Sequence, residues 1–273
     1  MVESIIKNRY VDVFILCEMN GVAIDNISKL LSTHKVVRAN DNVSKNLHFD
    51  MVLILSNRVK LIYSIPIFDR TKDEGGHALK VGYQFLIEMG SGVVDSSSKK
   101  LSIIASHWPS KIRDSDSFKK DHAARILSDI CAIERTKNDR QIILIGDYND
   151  EYESTAIKNI LYSTINRNYA RNDSRILYNL SGLMSGPHVP NAHGVDYHYS
   201  GTWVSSDVNS RINDENSCRM FDQVMLSSSM IDKGPWIVNE RRSGLINNKY
   251  LKNMVNDCLI DHLPICLNAE MAR

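Results

Sequence analysis

QIILIGDYND, Gln141–Asp150, is the stretch whose reading decides this chain. Four apolar residues in a row, Ile142 to Ile145, have the pattern of a short strand buried on both faces. Gly146 ends the run, and Asp147, Asn149 and Asp150 follow at once. A buried strand that stops at a glycine and then presents acid and amide groups holds polar chemistry at the rim of a sheet. Asp147 and Asn149 lie two apart, so in extended chain they point to the same side. A carboxylate beside an amide suits a phosphate, a metal-bound water or an imidazole. Taken alone, the stretch reads better as a plain strand and Asx turn. The case for a site rests on what the rest of the chain brings to it.

The chain has 273 residues, 43% hydrophobic and 24% charged, with a formal net charge of +1. That composition fits a globular protein with a sizeable core, and 1–273 is expected to fold as one domain. Bulk charge favours neither nucleic acid nor membrane, so contact with either must come from a local patch. The five cysteines are widely spaced, without CxxC or CxxH pairing, which argues for a reducing compartment and against zinc. The first residues lack the apolar core of a signal peptide and no apolar run approaches a membrane span. The expected location is cytoplasmic, with no membrane partner.

Other strands end in the same way. Tyr10–Cys17 is β-branched and aromatic and ends at Glu18. Ala23–His34 has helical spacing. Asp50–Ser56 and Lys60–Ile67 read as strands joined by a hairpin turn at Ser56–Arg58. Leu79–Met89 and Lys99–Ser106 are the next strand pair, and the second stops where Pro109 forbids continuation, leaving His107 at its tip. Hairpin succession implies antiparallel or mixed sheet. Ser115–Arg135 reads as an amphipathic helix with Phe118, His122, Ile126, Ile130 and Ile133 on its apolar stripe. A short helix is expected at Glu153–Tyr162, and further helices at Ile176–Met184 and Leu245–Val255. Ser205–Arg219 reads as a polar insertion. Phe221–Leu226 carries Asp222 inside an apolar run, where a carboxylate needs a partner such as histidine. Asp261 and His262 precede the last strand-like segment, Leu263–Leu267.

Strand ends thus deliver Glu18, His107, Asp147 with Asn149, Asp222, and Asp261 with His262. The segments that carry them are ILCE (Ile15–Glu18), SHWPS (Ser106–Ser110), LIGDYND (Leu144–Asp150), YSGTW (Tyr199–Trp203), FDQVMLS (Phe221–Ser227) and DHLPI (Asp261–Ile265). In that order they resemble the endonuclease/exonuclease/phosphatase superfamily of DNase I-like proteins, over about Val11 to Leu267. HWPS and GDYND look most like bacterial members of uncharacterised substrate.

The resemblance implies a four-layered α/β sandwich, two mixed sheets face to face and flanked by helices. It implies a metal-dependent phosphodiester hydrolase, most readily a nuclease on DNA or RNA. Glu18 would hold Mg²⁺ or Mn²⁺, with Asp261 as a second carboxylate. His262 would act as general base or stabilise the phosphorane, and Asp222 would hold its ring in the charged form. Asp147 and Asn149 would place the nucleophile and a phosphate oxygen. His107 would contact the scissile phosphate, and Lys111 and Arg113, with Lys119 and Lys120 beyond them, are candidate phosphate contacts. Two other readings remain: a phosphatase or phospholipase on inositol phosphates or sphingomyelin, and a binding or regulatory module with impaired turnover. The family's first strand, with an Asn in a WN-x-N-like motif, has no counterpart ahead of Glu18, so that strand is expected to be missing.

Overall fold

The computed structural model describes residues 5–6, 11–39, 42–44, 47–69, 79–89, 100–110, 115–137, 140–184, 201–204, 218–246, 251, 253–254 and 260–272. It is α/β, with a large mixed β-sheet, smaller sheets and helices. Two compact units make it up: Met1–Trp108 with Ile133–Ile142, and Pro109–Ala132 with Ile143–Arg273. Among the described residues no helix is long and apolar enough to cross a membrane.

The first unit opens with β1 (Val13–Leu16), α1 (Gly21–Leu30), β2 (Lys35–Ala39) and a short pair, β3 (Asn42–Ser44) and β4 (Leu47–His48). β5 (Met51–Leu55) is buried at every residue and pairs antiparallel with β1 on one side and β2 on the other. Asn20 starts α1: its side chain accepts the Ala23 N–H at 2.9 Å, satisfying one of the helix's orphan donors. Ile24 and Ile27, three apart, then pack with Phe14, Leu16, Val52 and Ile54 to close a core over this small sheet.

The expected hairpin at Ser56–Arg58 does not form. β5 belongs with β1 and β2, whereas β6 (Val59–Asp69) pairs antiparallel with β7 (Leu79–Met89), so the chain changes sheets at the turn. Asp12 fixes that change: its carboxylate accepts from Ser56 Oγ at 2.7 Å and from two Arg58 nitrogens at 2.9 Å. β7 pairs on its other side with β8 (Lys100–His107). Trp108, fully buried just past β8, donates its indole N–H to the Val81 carbonyl at 3.0 Å and anchors the strand end that carries His107. Arg70–His77 and Gly90–Ser98, which read from the sequence as a loop and a Gly/Ser-rich turn, lie outside the described residues.

In the second unit, β14 (Asp222–Ser227) pairs antiparallel with β9 (Arg140–Asp147), in a register that sets Asp222 opposite Asp147 and Leu226 opposite Ile143. β14 also pairs antiparallel with β11 (Leu177–Asn179), which runs parallel to β10 (Ser163–Thr164). This parallel pair among antiparallel ones makes the sheet mixed, as hairpin succession and the resemblance implied. The short helix expected at Glu153–Tyr162 is a π-helical turn at Thr155–Ile160. α3 (Arg167–Asn172) follows it. The helix expected at Ile176–Met184 is instead β11 and one turn, α4 (Ser181–Met184). Leu177, Tyr178 and Asn179 are all buried, as a central strand requires, and the Asn179 side chain turns the chain by accepting the Ser181 N–H at 2.9 Å.

Further along come β12 (Trp203–Val204), β13 (Cys218–Arg219), α5 (Ser229–Asp232) and β15 (Trp236–Val238). β16 (Gly244–Leu245) pairs with β17 (Ile265–Cys266), and β18 (Ala269–Met271) with β15. The helix expected at Leu245–Val255 is helical, among its described residues, only at 251 and 253–254; Gly244, at φ +149°, and Leu245 are strand.

The 21-residue helix α2 (Ser115–Arg135) lies where the periodicity places it, but its buried face is another one. Lys120, Ala123, Ala124, Leu127, Cys131 and Glu134 are buried, while Phe118 is 75% exposed and Ile133 is exposed as well. A lysine and a glutamate close the two ends of that face, so counting apolar residues rotated the stripe. Glu134, 3% exposed, is neutralised by Lys137 at 2.6 Å and Arg140 at 2.9 Å. Leu127→Ala is expected to destabilise the protein by about 2–5 kcal/mol, the ordinary cost of emptying a core site. Phe118→Ser should change it by about 0.5 kcal/mol or less, as at other exposed positions. Urea unfolding of the two variants reads the difference.

Candidate active site

Gly146, at φ +145°, lies inside β9 one residue before its end, and Asn149 beyond it takes a left-handed conformation at φ +48°. That conformation folds Asn149 back on Asp147. Its backbone N–H donates to one carboxylate oxygen at 2.7 Å and its side-chain amide to the other at 3.0 Å. The Asx turn and the polar site, posed as alternatives by the sequence, are the same object. Tyr148 between them is fully buried, and its N–H donates to the Phe221 carbonyl at 2.9 Å, tying this turn to the start of β14.

His262 joins the two strand-end acids. Its Nδ1 lies 2.7 Å from Asp222 Oδ2 and its Nε2 3.9 Å from Asp147 Oδ2. Burial works against the imidazolium, but the hydrogen bond to Asp222 and the fields of Asp222, Asp147 and Asp261 outweigh it and push the histidine up to about 9. The ring is therefore doubly protonated at neutral pH. Asp261 itself is exposed at the rim.

Gly201 and Thr202 support this pair from behind. Thr202 is fully buried; its hydroxyl accepts the Asp222 N–H at 2.9 Å and its carbonyl accepts the Leu263 N–H at 2.7 Å. One residue thus fixes both the strand with Asp222 and the segment with His262. Gly201 has to be glycine, because a Cβ there would sit 2.4 Å from the Arg219 carbonyl oxygen. Buried Gln223 ties the base of the turn, donating to the Asp150 carbonyl at 2.6 Å.

The first unit carries a second polar set. Glu18, just past β1, takes a left-handed conformation, φ +59°, with a side chain 78% exposed. His107 Nε2 lies 3.6 Å from it. The other nitrogen of that ring is 3.3 Å from Asp50, which also takes a 2.8 Å contact from Lys80. Burial would raise the Asp50 carboxyl, but the hydrogen bonds from His107 and Lys80 and their charges hold it well below the usual carboxylate range. Its backbone carbonyl accepts the Met19 N–H at 2.7 Å and so locks the turn that presents Glu18.

The structure therefore gathers Asp147, Asn149, Asp222 and His262 in the second unit, and Glu18 with His107 in the first. Lys111 and Arg113 lie outside the described residues. The sequence reading missed Asp50, Lys80 and Thr202. Asp50 had a signal, a carboxylate directly before the buried strand Met51–Leu55. Lys120, expected as a phosphate contact, is instead buried and donates to the Asn149 carbonyl.

Asp147, Asp222 and His262 offer ligand atoms within 4.8 Å of one another, close enough for a metal ion. At neutral pH the raised His262 carries a proton, which a metal ion seated on this set would have to displace. Glu18 and Asp261 are exposed carboxylates, the hard oxygen donors that Mg²⁺ takes.

No family model matches the sequence, and no curated protein matches it. Solved structures do match the fold. TDP2 from D. rerio, complexed with a single-stranded DNA product, aligns at a TM-score of 0.64 with 16% identity, over 99% of this chain and 90% of that one. The human nocturnin catalytic domain with bound sulfate aligns at 0.62 and 16%, over 99% and 85%. An endonuclease/exonuclease/phosphatase protein from Bacteroides vulgatus aligns at 0.59 and 13%, over 99% and 89%. The fold is the DNase I-like sandwich that the motifs implied.

Because the His262 value is raised on folding, its charge stabilises the protein fully below about pH 6.5 and ceases to do so as pH rises through about 9. In NMR the His262 ring should titrate near pH 9, and Asp222→Asn should move that midpoint down. A wild-type midpoint near 6.5 would mean the ion pair does not hold in solution.

Proposed function

We propose that the protein is a divalent-metal-dependent phosphodiesterase that cleaves nucleic acid strands. The observation that carries the reading is the His262 ring, 2.7 Å from Asp222 and 3.9 Å from Asp147, beside the Asn149 turn. A phosphodiester resists hydrolysis because its anion repels an incoming nucleophile. A fixed positive charge next to a carboxylate that can take a proton answers both needs.

In this reading Asp147 accepts the proton of the attacking water and aims it. The Asn149 amide holds a phosphate oxygen, and His262, kept charged by Asp222, stabilises the negative charge of the phosphorane. The raised value favours this role for His262 over that of general base, for which the ring would have to be neutral. His107, its ring set by Asp50, is a candidate phosphate contact of the first unit. Glu18 in the first unit and Asp261 in the second are each candidate carboxylates for Mg²⁺ or Mn²⁺, which when bound would neutralise phosphate charge as a Lewis acid. Support for a nucleic acid substrate comes from the D. rerio TDP2 structure, which holds single-stranded DNA product.

Plasmid, single-stranded DNA and RNA, each incubated with and without EDTA, test the proposal. Cleavage should require the divalent ion and fall by about 10²–10⁴-fold in His262→Ala and Asp147→Ala. The rate should also fall as pH rises through about 9, where His262 loses its charge. Cleavage of another phosphoester in place of these strands would remove the nucleic acid part of the proposal. Turnover unaffected by EDTA would remove the metal part.

A further inference from the structure

Lys120 is 1% exposed, in a helix whose sequence reads its lysines as surface residues. Burying an ammonium costs several kcal/mol, and a methionine would fill the same space without that cost. Its Nζ donates to the backbone carbonyl of Asn149. Asn149 is the left-handed residue whose N–H and amide both grip Asp147. One side of this residue is therefore fixed by Asp147 and the other by Lys120. Ala123, Ala124 and Leu127 continue the same buried face, so the helix is a rigid base for that contact.

We propose that Lys120 is a positioning residue for hydrolysis: its buried ammonium clamps the Asn149 turn and so fixes the Asp147 carboxylate and the Asn149 amide for their work on the phosphate. The proposal rests on the phosphodiesterase reading above for its kinetic consequences, but not for the clamp itself. The ammonium brings three donors and a full charge, and a carbonyl is a stronger partner for it than for a neutral donor. Misplacing a reacting group by about 1 Å costs on the order of 100-fold in rate, which is the scale at which a clamp matters.

The test uses the full chain carrying Lys120→Met, which keeps the bulk and removes charge and donors, and Lys120→Arg, which keeps both. Steady-state cleavage of a single-stranded oligonucleotide and hydrogen exchange of the Asn149 amide are measured on each. For Lys120→Met, kcat should fall about 100-fold with KM changed about threefold or less, since positioning acts on the reacting groups and not on binding. The Asn149 amide should exchange at least about tenfold faster, because the turn opens more often. Lys120→Arg should keep the amide protected and most of kcat.

Lys120→Met with wild-type kcat, or with unchanged Asn149 protection, overturns the proposal. Should Lys120→Met fail to fold, Lys120→Arg decides: a protected Asn149 amide with retained kcat supports the clamp, and a protected amide with kcat lost overturns it. If the wild type cleaves no strand, the functional reading has failed, and the amide exchange of Lys120→Met alone still decides whether Lys120 holds the turn.

Discussion

Two carboxylates that face each other across antiparallel strands at the rim of a sheet repel, and that repulsion organises the second unit. The register of β9 and β14 makes Asp147 and Asp222 direct neighbours. Like charges at such positions destabilise a sheet unless something neutralises them. His262 does so by bridging to both, and a proton held between two acids stays on its ring well above neutrality. Thr202, Gly201 and Gln223 make sense as the scaffold that keeps these three groups in register. The left-handed Asn149 and the buried Lys120 do the same for the turn beyond Asp147.

The same logic recurs in the first unit with different partners. Asp50, half-buried, is matched by His107 and Lys80, and its main chain fixes the turn at Glu18. Glu18 and Asn149 are both non-glycine residues held at positive φ. Backbone of that kind is costly and persists where surrounding structure over-determines it, as at functional sites. Both lie at strand ends that also carry polar clusters, so strain and chemistry coincide.

The sequence made the strands legible because buried strands carry runs such as IILI and MVLI, and their ends legible because glycine, proline and acids interrupt those runs abruptly. It marked Glu18, His107, Asp147, Asn149, Asp222 and His262 for that reason. What it hid were interactions that break the rule that charges lie outside. Lys120 and Glu134 sit on the buried face of α2, which turned the expected stripe away from the true one. The hairpin at Ser56–Arg58 failed because turn residues reveal a change of direction and not which sheet receives the next strand; Asp12, 44 residues away from Ser56, decides that. Leu177–Asn179 looked helical because three residues of strand are too few to show a period.

The central claim is that Asp147, Asp222 and His262 hold a proton while the divalent ion goes to exposed carboxylate. Anomalous diffraction from crystals grown at neutral pH with Mn²⁺ in place of Mg²⁺ tests it most directly. The expected result is manganese on the Glu18 carboxylate and none bonded to His262. Manganese seated among Asp147, Asp222 and the His262 ring would contradict the claim, because it would make the histidine a neutral ligand.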